Sequence, residues 1–338
     1  MYDTAPKSPP QEPGMFMPAG QRIDAPLSTG SAAGDERYVR NLIIVHTPGA
    51  QDVSDFLKVK QLIAERAPEI EVFLVANDAP QSVTRKKASG RPTLIFSPYY
   101  LQSFQPARGK IYAGRILTKL RQVRMLEDAG IPVPKAFFLN EDTKLDRAKW
   151  GDYVILKPNV GSRGSGVRLS PFGRIFDNAR ELGWPQTAYL VQKFIDTGPY
   201  PTEYRALTVF GEPVYCNRVT SQEKRPDLTP DMPMDGRIAS NSGPRASTPC
   251  YDEDVLDLAR RTFHAFPQVP VQGMDIIRDV HTGELHVLEV NPGGATWHLS
   301  SQLGKRLQER NGYSYYEQFD AISVIADRLI HVTRREAE

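Results

Sequence analysis

Residues 273–294, GMDIIRDVHTGELHVLEVNPGG, constrain this chain more than any other stretch. Two apolar runs flank a turn containing His281-Thr282-Gly283, the pattern of a β-hairpin. A loop of those three residues, or one widened to 280–284, sets Asp275 opposite Glu289. Alternation along a strand puts Asn291 on the same face as Glu289, about 7 Å away. Asp275 joins them from the neighbouring strand unless a bulge shifts the register. Two carboxylates buried together are costly unless something positive lies between them. Two carboxylates and a carboxamide are an oxygen-only set that suits Mg2+ better than zinc. Three solvent-facing polar residues on an amphipathic hairpin fit the same pattern, so the rest of the chain has to decide.

The composition narrows the class. At 338 residues the chain can hold two or three packed lobes. With 40% hydrophobic and 24% charged residues, it matches soluble globular proteins. A formal net charge of +2 argues against a nucleic-acid partner, which calls for a concentrated basic surface. Cys216 and Cys250 are too few for a disulfide framework and too far apart for a zinc motif. Packing in a reducing compartment is their expected role. No apolar run reaches membrane-spanning length, and the first residues carry Pro, Ser and Gly where a signal peptide has an apolar core. The expectation is a cytoplasmic enzyme or binding protein with no membrane partner.

Residues 1–36, rich in Pro, Gly, Ala and Ser, are expected to form a disordered arm. Residues 41–46 form a continuous β run, 55–66 a helix with Phe56, Val59, Leu62 and Ile63 at helical spacing, and 71–75 and 92–96 two more strands. That rhythm predicts a small α/β lobe over 37–112. An amphipathic helix follows, with Ile116, Leu117, Leu120, Val123 and Leu126 apolar and Lys119, Gln122 and Arg124 among the polar positions; Gly130 ends it. Beyond it the texture is that of hairpins, with strands at 153–157, 188–195, 203–210, 213–219, 271–277 and 285–290. Helices are expected near 252–266 and 315–331, and segregated strands and helices point to α+β packing. Residues 221–235, polar with three prolines, predict a surface loop or lid.

The second informative segment is 153–167, YVILKPNVGSRGSGV. A strand delivers Lys157, and a loop with three glycines in six residues turns back into another short strand. Glycine permits positive φ and close approach, so the backbone N–H groups of such a loop can wrap phosphate oxygens. The lysine precedes the glycines, unlike a Walker A loop, and no helix follows directly, unlike a dinucleotide fingerprint. HRD and DFG segments are absent, which excludes a protein kinase. Taken alone, the loop reads as a flexible turn and Lys119 as an exposed lysine on a charged face. Together with the carboxylate hairpin they complete a nucleotide–magnesium site.

In this order, the helix with Lys119, then GIPVP, VILKPNVGSRGSGV, LVQKFI, TEYRALTVFGEPV, QGMDII and LEVNPGG resemble the ATP-grasp superfamily. The resemblance is to the branch holding glutathione synthetases, D-alanine–D-alanine ligases and ribosomal-protein glutamate ligases of the RimK type. It covers roughly residue 111 to the C-terminus. Each motif is degenerate; the complete ordered set is specific. It implies a fold of two α+β lobes clasping ATP, about 133–193 and 194–335 within an ATP-grasp domain over 113–338, preceded by the 37–112 lobe.

It also implies roles. Lys119 and Lys157 match the lysines that contact ATP phosphates, and Gly161, Ser162, Arg163, Gly164, Ser165 and Gly166 match the loop that closes over them. Gln192, Lys193, Phe194 and Ile195 match the segment whose backbone reads adenine, with Gln192 where many members have Glu. Arg205 is similar to the arginine of an Asp-x-Arg motif, a ligand for phosphate or acyl phosphate, and Arg218 to a basic residue near the transferred phosphate. Asp275, Glu289 and Asn291 match the ligands of two Mg2+ ions, and Asn241 an asparagine near the substrates. Trp297 and His298 line an acceptor pocket or pack a helix start; Tyr99, Tyr100 and Arg115 either reach the site or belong to a core.

The expected function is an ATP-dependent carboxylate–amine ligase that forms an acyl phosphate, with amino acids or peptides as substrates. A phosphotransferase on the same scaffold and a non-catalytic ATP-binding module are the alternatives. Homodimers are common in such ligases, and nothing in this sequence specifies one.

Overall fold

Strands β1 (Arg40–His46), β2 (Ile70–Ala76), β3 (Thr93–Ser97) and β4 (Lys110–Ala113) pair in parallel, in the order β2-β1-β3-β4. Their near-continuous apolar runs suit a sheet buried on both faces. Helix α1 (Val53–Arg66) starts where the Asp52 carboxylate accepts the Ser54 N–H, and it buries Phe56, Val59 and Ile63. The structure is a computed structural model describing residues 37–78, 90–101, 108–161, 164–236, 243–293 and 295–338. The expected arm at 1–36, and Ser162, Arg163 and Asn241, lie outside the described residues.

Helix α2 (Lys119–Asp128) begins later than the apolar spacing indicated. Ile116 precedes it and is 78% exposed, whereas Lys119 and Gln122, expected among its polar positions, are buried with Leu120, Val123 and Leu126. The reason lies in what the helix packs against, which is polar.

A second sheet holds β5 (Ala136–Phe138), β6 (Tyr153–Pro158), β7 (Arg168–Pro171) and β8 (Tyr189–Lys193) in the antiparallel order β5-β8-β6-β7. The short helices α3 (Arg147–Trp150) and α4 (Ile175–Glu181) supply Trp150 and Ile175 to its core.

The third sheet is antiparallel: β9 (Thr202–Val209), β10 (Glu212–Ser221), β11 (Arg245–Pro249), β12 (Val271–Arg278) and β13 (Leu285–Asn291), in the order β11-β10-β9-β12-β13. Helix α5 (Glu253–Thr262) covers one face, where Tyr204, Ala206, Cys216, Met274 and Ile276 are buried. Helices α6 (Gln302–Asn311), α7 (Tyr315–Phe319) and α8 (Ala321–Glu336) follow. The single helix expected over 315–331 is broken at Asp320, which has φ 47. Helix α8 packs against α1, β1 and β10, so the first and third sheets share one apolar core.

Residues 221–236 do not stand free. Arg225 holds Asp196 at 2.9 and 3.0 Å, and Leu169 and Asp235 exchange backbone hydrogen bonds of 2.8 and 3.1 Å. No helix among the described residues is long and apolar enough to cross a membrane.

Candidate active site

The β12–β13 hairpin reaches the expected pairing by an unexpected route. Arg278 faces Leu285, so the connecting loop is 279–284 and the register starts one residue out. A bulge corrects it: Ile276 faces Val287, Leu288 is skipped, and Asp275 faces Glu289. Without the bulge Leu288 would oppose Asp275. On the other flank Asp275 pairs with Arg205 of β9.

Helix α2 holds this hairpin and the glycine segment together. The Gln122 carboxamide oxygen accepts the Val290 N–H at 3.0 Å, between Glu289 and Asn291, and its nitrogen donates to the Leu117 carbonyl. At the helix start, the N–H groups of Lys119 and Leu120 donate to the backbone and side-chain oxygens of Asn159, at 3.1 and 3.0 Å. Thr118, the N-cap, makes no side-chain cap bond, so Asn159 does the capping from the turn after β6. Lys119 Nζ donates to the Gly161 carbonyl at 2.6 Å and lies 3.6 Å from Glu289 Oε1.

Lys157 ends β6 in the same cleft, 6% exposed, with no hydrogen-bond partner for Nζ among the described residues. Burial pushes its ammonium down to about 8; Glu289 opposes that and Lys119 adds to it. Burial likewise pushes the Asp275 carboxyl up to about 7, against the pull of Arg205 and with repulsion from Glu203 and Glu289. Arg205 donates to Glu203 at 2.6 Å and stands 3.5 Å from Asp275.

Gly164, Ser165, Gln192, Lys193, Phe194 and Ile195 complete the walls of a cleft of about 1080 Å3, its open mouth included. Gly161, Gly164 and Gly166 all have positive φ, as a loop turning its N–H groups inward requires. Gln192 donates its side-chain N–H to the Pro134 carbonyl at 3.3 Å.

The donor set fits a magnesium–nucleotide. Among the described residues no group of three or more His, Cys, Asp and Glu is placed to hold a metal. Mg2+ typically takes one or two carboxylates and completes its shell with phosphate oxygens and water, which Asp275, Glu289 and Asn291 leave room for. The unpartnered, desolvated Lys157 is matched by an anion such as phosphate.

Residues 116–296 match the sequence profile described as the ATP-grasp domain, more than half of the chain. The chain belongs to the ATP-grasp family. No curated protein matches it. Its fold is similar to that of the ATP-grasp ligase PsnB complexed with minimal precursor, Mg and ADP, at 15% identity over 87% of this chain and 98% of that one, TM-score 0.49. The macrocyclase MdnC from Microcystis aeruginosa MRC, bound with precursor peptide MdnA, gives 14% identity, 86% and 99% coverage, TM-score 0.49. The D-alanine–D-alanine ligase from Bacillus anthracis complexed with ATP gives 14%, 88% and 98%, TM-score 0.44.

Within this ATP-grasp chain the remaining candidates separate by sheet face. Arg218 is exposed and pairs with Tyr204, whereas Arg205 pairs with Asn217. Strand alternation therefore turns Arg218 to the α5 side, away from Asp275, and the structure does not bring it into the cleft. Arg245, which the sequence reading missed, pairs with Ser221 on the cleft side. Its guanidinium is held below its ordinary pKa by burial and by Arg205. The only hint in the sequence was a basic residue after a polar loop.

His298 lies between these arginines electrostatically: burial, then Arg205 and Arg245, push its imidazole down to about 4, so it is neutral near pH 7. The Gln308 side chain grips the His298 carbonyl at 3.1 Å, and Tyr215 OH donates to the Thr296 carbonyl at 2.8 Å. Trp297 is core, fully buried, with its indole N–H on Asp55 at 2.8 Å. The Tyr99 and Tyr100 rings pack against each other at a tilt, 4.5 Å between centroids, and do not line the cleft. The Arg115 N–H donates to the Pro292 carbonyl at 2.7 Å, next to the end of the hairpin.

Proposed function

We propose that this chain is an ATP-dependent carboxylate–amine ligase working through an acyl phosphate. The observation that supports this reading best is one cleft in which Lys119 and Lys157 face Asp275, Glu289 and Asn291, with Arg205 beside them. In this reading 37–112 is an N-terminal lobe, and about 133–193 and 194–335 are the lobes that clasp the nucleotide.

Lys119, Lys157 and the backbone of Gly161–Gly166, with Ser162 and Arg163, hold the phosphates. The backbone from Gln192 to Ile195 meets the adenine. Asp275, Glu289 and Asn291 hold two Mg2+ ions, which when bound neutralise phosphate charge and polarise the transferring group. Arg205, at the boundary between these ligands and the Arg245–His298 face, holds the acceptor carboxylate in line. A guanidinium is suited to this because it stays charged and binds carboxylate through two parallel N–H groups. Neutral His298 adds a hydrogen-bonding group without further positive charge. The glycine loop excludes water from a product that hydrolyses easily. Arg218 has no part in this scheme.

The test is ADP release across panels of carboxylates and amines, amino acids and peptides first, with hydroxylamine replacing the amine. ADP release that needs a carboxylate, a hydroxamate in the hydroxylamine arm, and loss of both in Glu289→Gln are expected. A stable phosphorylated product without hydroxamate would make the chain a phosphotransferase. ATP binding without substrate-dependent hydrolysis would make it a binding module.

A further inference from the structure

Cys216 and Cys250 are the only cysteines of the chain, thirty-four positions apart, and the fold brings them together. Pro249 ends β11 opposite Asn217 of β10, and one step further the Cys250 N–H donates to the Cys216 carbonyl at 2.9 Å. Residues facing each other this way in an antiparallel pair have Cα atoms about 5.5 Å apart, a span that a disulfide bridges. Both belong to the core beneath α5.

The two sulfurs are not equivalent. Cys250 lies two residues before Asp252, the N-cap of α5. The neighbouring Cys216 holds Cys250 down to about 7, while Cys250 and burial push Cys216 well up. A thiol that solvent reaches beside one that it does not is the arrangement of an attacking and a resolving thiol. Cys250 is 5% exposed and Cys216 0%, so only a small oxidant arriving at Cys250 first suits the site.

We propose that Cys216 and Cys250 form a reversible thiol–disulfide pair oxidised by hydroperoxides. The Cys250 thiolate attacks the peroxide oxygen, the O–O bond breaks, and the departing alkoxide or hydroxide takes a proton from solvent, leaving Cys250 as sulfenic acid. The Cys216 sulfur then attacks Cys250 Sγ; the S–O bond breaks and hydroxide leaves with the Cys216 proton as water. Two thiols and one hydroperoxide give one disulfide, one alcohol or water, and one water. The cross-link ties the end of the edge strand β11, which carries Arg245, to β10 at the far end of the pair from the 222–244 connection.

The test uses the full chain, reduced and then titrated with hydrogen peroxide, followed by non-reducing peptide mapping and intact mass. Expected are loss of two hydrogen masses, a Cys216–Cys250 linked peptide, and reversal by a thiol reductant. In Cys216→Ser the linked peptide is absent and Cys250 gains oxygen instead. Methionine oxidation adds oxygen and does not mimic the linked peptide. If both cysteines of the wild-type chain remain open to alkylation after peroxide and denaturation, or each gains oxygen without cross-linking, the proposal is wrong.

Discussion

Lys157→Met separates what the cleft costs the fold from what it gives the chemistry. Folding with a charged Lys157 moves its ammonium from the ordinary 10.5 to about 8, chiefly through burial. At about 1.4 kcal/mol per tenfold, that is on the order of 3 kcal/mol of destabilisation in the nucleotide-free protein. Methionine keeps the stem length and removes the charge. Some of the gain is lost because Glu289 then has Lys119 alone beside it, so the net expectation is a gain of about 1–3 kcal/mol. In a chain of this size that raises the melting temperature by a few degrees, roughly 2–6 °C.

The sign of the pH dependence follows from the lowered value. Between about 8 and 10.5 the unfolded chain binds the proton more tightly than the folded one, so wild-type stability recovers as pH rises. The advantage of the variant is therefore full at pH 7 and shrinks below about 1 kcal/mol by pH 10. The assay is thermal unfolding of both proteins in a magnesium chelator at pH 7 and pH 10, repeated at pH 7 with Mg2+ and ATP. The wild type gains stability with nucleotide and the variant gains little. A variant less stable than wild type at pH 7, or a gap that ignores pH, would refute the claim that this lysine is folded as a desolvated cation awaiting an anion.

Three further outcomes test the surrounding geometry. Gln122→Ala leaves the Val290 N–H without its acceptor and should cost about 1–3 kcal/mol in chemical denaturation while lowering ADP release; a stable variant of normal activity would show that α2 does not position the hairpin. At Gly304 an added Cβ would sit 1.9 Å from the His298 carbonyl oxygen, so Gly304→Ala should destabilise by at least about 2 kcal/mol, and an unchanged melting temperature would contradict that close approach. Arg245→Ala should raise KM for the carboxylate substrate roughly tenfold or more with KM for ATP unchanged, and Arg218→Ala should alter neither; the reverse pattern would overturn the assignment of sheet faces.

Much of this was legible because motif chemistry is local. The lysine before the glycines and the parallel N-terminal strands follow from apolar runs and turn residues, and the hairpin itself from its two apolar runs. What stayed hidden depends on partners distant in sequence. Gln122 looks like a surface position until Val290 is packed against it, and Asn159 looks like a loop residue until it caps a helix 39 positions earlier. Arg218 and Arg245 are indistinguishable as basic residues near strands; only register assigns their faces. The bulge at Leu288 shows the limit most clearly, since a loop length one residue off and a compensating bulge produce the same pairing as a shorter loop and none.

That compensation has a physical reason to persist. Asp275 needs Arg205 on one side and room for a cation on the other, and Glu289 needs Lys119. The Arg205–Asp275 and Lys119–Glu289 pairs thus stand at 3.5 and 3.6 Å, too long for strong hydrogen bonds. Lys119, by contrast, is tied at 2.6 Å to the carbonyl of Gly161, the first glycine of the loop. A phosphate entering the cleft competes with that carbonyl for the same ammonium. Helix α2 therefore couples the three motifs: its start is capped by Asn159, its first lysine holds the loop, and its Gln122 holds the strand of the carboxylates. Charge alone does not join loop and hairpin; a single helix bonded to both does.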